Sequence, residues 1–171
     1  MQIQLRVPGR RAFAAVAALA AVAFVGTAQG QPATSDYWAV NFSDSQFTFV
    51  ERGSIERRPD GTVRSWSLAV FSQPVVEDGL SVSYVVIQTE DHCGQRKHRP
   101  LQMILYSRDG TVETPLKADI PFQAVDANTP GESMHLFACA TQPPSFAKPM
   151  QGGTIRGLVD YAFRYWSSSA A

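Results

Sequence analysis

The chain has 171 residues, 44% of them hydrophobic and 18% charged, with 15 basic side chains balanced by 15 acidic ones. That balance excludes a general attraction to nucleic acid or to an anionic membrane surface. Once the first thirty residues are set aside, the length suits one domain with a core of its own.

Arg6, Arg10 and Arg11 precede an almost wholly apolar run from Ala12 to Val25, and the small residues Gly26, Ala28 and Gly30 follow. A positive start, a short apolar segment and a small-residue cleavage zone predict a secretory signal peptide over residues 1–30. Cleavage after Ala28 and cleavage after Gly30 both fit. The apolar run is shorter than the roughly 20 residues that span a bilayer, and no second run of that length follows, so no transmembrane segment is expected in the mature chain. Arg10-Arg11-Ala12-Phe13 fits the core of a twin-arginine export signal. Ordinary Sec export with an incidental arginine pair fits as well, and both routes stay open. No cysteine lies near the cleavage zone, which argues against a lipid anchor. All 15 acidic residues lie beyond residue 30 and three of the 15 basic ones do not, so the remaining 141 residues carry a net charge of −3 with His neutral. The expected location is the periplasm or the cell surface.

After a short polar leader at 31–36, "DYWAVNF" alternates, with Trp38, Val40 and Phe42 on one predicted strand face. "SQFTFVE" repeats the pattern with Phe47 and Phe49. "TVRSWSLAVF" sets Trp66, Leu68 and Val70 on one face against Val63, Ala69 and Phe71 on the other. "LSVSYVVIQTEDHC" and "RPLQMILYS" complete a series of five strands rich in β-branched and aromatic residues. "PDGTV" at 59–63 and "RDGTV" at 108–112 place Asp-Gly between extended segments, which predicts tight turns.

The period then changes. After Pro130-Gly131, Met134, Leu136, Phe137 and Ala140 are spaced as on a short amphipathic helix, with Glu132 near its positive end. Pro143-Pro144 stops it, and residues 143–153, "PPSFAKPMQGG", read as a linker. Ile155, Leu158, Val159, Ala162, Phe163 and Trp166 then form a helical stripe over 154–168, with Thr154 as N-cap. Such a wide apolar face must be covered by its own domain, by a second copy or other protein, or by a membrane surface. The first is preferred, and a homo-oligomer through this helix is the next choice.

Cys93 and Cys139 are the only cysteines. An even count in an exported chain favours one disulfide. The competing reading is a zinc set in which His92 and His135 join the two cysteines, since His135 and Cys139 are one helical turn apart. Against it, His92 and Cys93 are adjacent and point to opposite faces of a strand. No Cys-x-x-Cys redox motif is present. Arg96, Lys97, His98 and Arg99 are a candidate patch for an anionic partner, weighed against a solvated turn. "GESMH" lacks the second glycine of a nucleophile elbow and falls within the predicted helix. Trp38 and Trp66 read as core or sheet-face residues. No catalytic residue, cofactor site or phosphate loop is identified.

In this order the landmarks resemble the surface-adhesin protein E domain of exported proteins in Gram-negative bacteria. They are the Trp38 strand, "FTFVERGSI", "VRSW", "EDHC" followed by basic residues, and "TPGESMHLFAC", together spanning about 37–140. The resemblance implies a bent antiparallel sheet, a helix tied to its concave side by a disulfide, no catalytic residue, and an adhesive role toward host extracellular matrix. Three features depart from the pattern. Glu51 stands where the family commonly has aspartate, there is no lipidation cysteine, and the helical tail runs past the usual domain.

The expectation is therefore an α+β domain over 37–142. It has a bent antiparallel sheet of about five or six strands, a short helix disulfide-tied to it, and a C-terminal amphipathic helix. Its expected function is an exported, non-catalytic binding module of the envelope, adhesin-like, with an unknown protein or envelope or matrix component as partner and no cofactor. The alternative is a periplasmic small-ligand or metal-binding protein.

Overall fold

The computed structural model describes residues 36–77, 79–118, 120–150 and 153–169. The expected signal peptide and nearly all of the leader lie outside the described residues. Strands β1 (Tyr37–Phe42), β2 (Gln46–Arg57), β3 (Thr62–Glu77), β4 (Leu80–His92) and β5 (Lys97–Tyr106) fall on the five alternating stretches. They form an antiparallel meander that β6 (Val112–Lys117) extends on the β5 side. β7 (Gln123–Ala124) also pairs with β5, further along it, and β8 (Lys148–Met150) pairs with the free side of β1. The order is β6-β5-β4-β3-β2-β1-β8 with β7 beside β5, eight strands among the described residues.

The sheet is thus wider than the five or six strands expected. The additions are short edge pieces, and β6 and β8 each carry a proline (Pro115, Pro149), which an edge strand tolerates and an alternation test does not register. The stretch read as a linker over 143–153 therefore contributes β8, in register with β1 from Tyr37↔Met150 to Ala39↔Lys148.

Both Asp-Gly turns form as predicted. Gly61 and Gly110 take φ of 81° and 93°, a region glycine enters without Cβ strain. The preceding aspartates hold the turns: Asp60 Oδ1 accepts from Thr62 N–H at 3.0 Å and Asp109 Oδ1 from Thr111 N–H at 2.9 Å. Hydrogen bonds from Ser107 and Thr111 lower the Asp109 pKa to about 2.

The two sheet faces receive different helices. One carries Tyr37, Ala39, Phe47, Phe49, Leu68, Val70, Tyr84 and Val86, and α2 (Ile155–Ser169) buries Leu158, Val159 and Ala162 against it. The expected stripe thus lies on the chain's own sheet, and Thr154 Oγ1 accepts from Gly157 N–H at 3.1 Å as its cap. Trp66 packs at the edge of this core. The other face carries Val40 and Val50, which with Phe137 of α1 (Pro130–Cys139) and Ala147 form a second cluster flanked by Trp38.

Phe42 does not share a face with Trp38 and Val40, contrary to the alternation. A register shift between Ala39 and Asn41 inserts one residue and turns Phe42 onto the ring of Phe47, 4.7 Å away. The apolar face assigned to α1 is also corrected. His135, Phe137 and Ala138 are buried, whereas Leu136 is 39% exposed. The helix rests on its ends: Thr129 Oγ1 accepts from Glu132 N–H at 3.1 Å, Pro130 opens the first turn, and the Glu132 carboxylate accepts from Asn128 N–H at 2.7 Å.

Candidate functional site

The residues singled out in the sequence meet where α1 crosses the end of β4 and the β4–β5 turn. Cys93, in the 3-10 turn Cys93–Gln95 that follows β4, and Cys139, at the end of α1, form a disulfide with Cα atoms 5.6 Å apart. Both sulfurs are therefore closed, and neither offers a thiolate to a metal. His92 faces away from α1, edge-on to Phe122 at 6.4 Å. The four-residue zinc set does not assemble.

His135 turns inward instead. Its Nδ1–H donates to Asp91 Oδ1 at 2.8 Å, and both side chains are almost fully buried. Thr89 Oγ1 donates to Asp91 Oδ2 at 3.3 Å, and the Cys139 sulfur lies 3.9 Å from both ring nitrogens of His135. Nothing local in "EDHC" indicates that Asp91 meets a residue 44 positions later. The available signal was alternation, which puts Asp91 on the same strand face as Val85 and Thr89, both buried. Ser133 of "GESMH" lies inside α1, its N–H bonded to Thr129 O at 3.2 Å, rather than at a strand-to-helix elbow.

One residue back, on the opposite sheet face, Glu90 lies between Arg64 of β3 and Arg99 of β5, directly across from each. Arg64 Nε donates to Oε1 at 2.8 Å and Arg99 Nε to Oε2 at 2.9 Å. Burial raises the Glu90 pKa, but hydrogen bonds from Arg99 and Arg64 outweigh it and hold the carboxyl below its ordinary range. Arg99 also stacks over Phe122 at 4.4 Å. On the far side of α1, the Arg57 guanidinium reaches Ala140 O at 2.6 Å and Cys139 O at 3.5 Å, where the helix leaves carbonyls unsatisfied.

The four-residue basic run is not brought together. Arg96 pairs with Glu132 at 2.6 Å, and its hydrogen bond, after that from Asn128, lowers the Glu132 pKa. His98 lies against Gly131, where an added Cβ would come within 3.2 Å of its ring. Arg99 belongs to the Glu90 ladder on the other face. Lys97 is exposed. Strand alternation divides the run, and carboxylates of this chain already engage two of its guanidinium groups.

The arrangement cross-links, caps and neutralises, and fixes α1 against the sheet. A family model described as surface-adhesin protein E matches residues 38–140. No curated protein and no solved structure matches.

Proposed function

The chain belongs to the surface-adhesin protein E family, and from this we propose that it is an exported, non-catalytic binding module of the bacterial envelope, acting in an adhesin-like way at the cell surface. The family match over most of the sheet and the whole of α1 carries the reading. The disulfide supports it, because such a crosslink persists in an oxidising compartment. No helix among the described residues is long and apolar enough to cross a membrane. The polar side chains around α1 hold one another, which suits a scaffold that presents surfaces rather than a site that transfers protons.

The test uses cells that export the full chain and an isogenic deletion. Surface biotinylation of intact cells should label the protein, and the expressing cells should adhere to matrix-coated wells above the deletion strain. Labelling only after outer-membrane permeabilisation would overturn the surface role and favour the periplasmic ligand-binding alternative. Surface labelling with equal adhesion by both strains would overturn the adhesive role.

A further inference from the structure

Between the outer side of α2 and the β5–β6 turn lies an open cavity of about 870 Å3. Its lining holds three guanidinium groups, Arg108, Arg156 and Arg164, against one carboxylate, Asp160. α2 lies beyond residues 38–140, so the family match does not account for this site.

Two of the cations, Arg108 and Arg156, are held in place by contacts. Arg108 lies over the ring of Phe163, 4.3 Å from its centroid. Stacking uses the flat face of a guanidinium and leaves its N–H edge outward. Arg156 donates to Arg108 O at 3.3 Å and pairs with Asp160 at 3.3 Å, which pins the β5–β6 turn to the helix. Arg164 is exposed and has no ion-pair partner among the described residues. Tyr165 presents a ring that is 45% exposed, steadied by Phe47 5.1 Å away. Arg108 and Tyr165, already ordered by these contacts, lose little freedom when a ligand arrives.

We infer that this cleft binds an acidic oligosaccharide. Arg108 and Arg164 take the carboxylate of a sugar acid, Asp160 accepts from sugar hydroxyls, and Tyr165 lies beneath a ring face. Each part has a chemical reason. Guanidinium groups match a carboxylate with paired donors. Asp160 pairs with Arg156 through Oδ1, which leaves Oδ2 to accept from a ligand; sugar hydroxyls donate there, whereas phosphate oxygens would be repelled. Insertion into a bilayer is unavailable, because the apolar stripe of α2 is buried on the sheet. The volume falls in the range of small-ligand sites and has room for more than one ring.

The experiment is calorimetric titration of the exported chain at low salt. The probe is a tetrasaccharide of alternating glucuronate and N-acetylglucosamine, with the neutral N-acetylglucosamine tetramer as control. Saturable binding of the acidic probe is expected, weakened about tenfold or more in the neutral tetramer and in Arg108→Gln and Arg164→Gln. Arg58→Gln, a half-buried change at the β2–β3 turn outside the lining of the cleft, should leave binding unchanged. Melting curves confirm that each variant is folded, and both arginine changes lie on the surface. The proposal is overturned by no saturation at millimolar probe, by equal binding of the neutral tetramer, or by full affinity in both arginine variants. Tighter association with phosphatidylglycerol vesicles than with the sugar also overturns it. The site stands independently of the adhesin reading: sugar binding can fail while cells still adhere, and it can hold in a chain that never reaches the surface.

Discussion

Glu51 shows how a buried carboxyl sets a sign. It is 5% exposed in β2, and burial, followed by the nearby Asp36, raises its pKa above 4.5. A carboxyl with a raised folded pKa binds more protons in the folded than in the unfolded state, so its contribution is fully present below pH 4.5 and is lost as pH rises through the folded value. Glu51→Gln should therefore raise the melting temperature at pH 7, with the advantage shrinking as pH falls through the raised folded value and gone below pH 4.5, measured by thermal unfolding across pH. Glu90 has the opposite sign: its lowered pKa gives stability above pH 4.5 that is lost in acid. A second residue-scale prediction concerns His135. Replacing it with leucine leaves Asp91 buried without its imidazole partner, which should cost about 3 kcal/mol in urea unfolding. Asp91→Asn, which keeps a polar partner for the ring, should cost less.

At the scale of elements, the two helices form for different reasons. α2 has the stripe that a sequence displays, and its burial on β1–β4 makes it part of the core rather than an appendage. Leu158, 2% exposed, is packed closely enough that a Cβ on Gly153 would come within 3.0 Å of it. Leu158→Ala should destabilise the whole domain by about 2–5 kcal/mol, measured as one cooperative transition. Loss of helix signal before loss of sheet signal would show that α2 docks independently. α1 lacks such a stripe. Its caps, Arg57 at its C-terminal carbonyls, the Asp91–His135 contact and the crosslink hold it.

At the scale of the molecule, the crosslink joins α1 to the β4–β5 turn across a sequence separation of 46. A loop of that length, opened by paired Cys93→Ser and Cys139→Ser changes, should lower stability by about 4 kcal/mol. Reduced wild type should unfold at the same urea concentration as the variant, and native protein should show no titratable thiol. Export is tested at the same scale. Arg10→Lys with Arg11→Lys keeps the positive start that Sec export needs, so processing should continue, measured by the size of the exported chain. Blocked processing would assign the twin-arginine route.

The sequence by itself determined the five central strands, both Asp-Gly turns, the span of α2 with its Thr154 cap, and one disulfide from two cysteines. These depend on local period, turn chemistry and counting, which neighbouring residues carry without reference to the rest of the chain. Tertiary structure decided the remainder. The bulge at Ala39/Asn41 moved Phe42 to the other face, because side chains alternate with a period of two and one inserted residue inverts every later position. Strand register placed Arg64, Glu90 and Arg99 in a row and divided the basic run between two faces. The Asp91–His135 pair, and the cleft between Arg108 and Arg164, join residues 44 and 56 positions apart. No periodicity links such residues. They meet only when α1 and α2 have settled on opposite faces of one sheet.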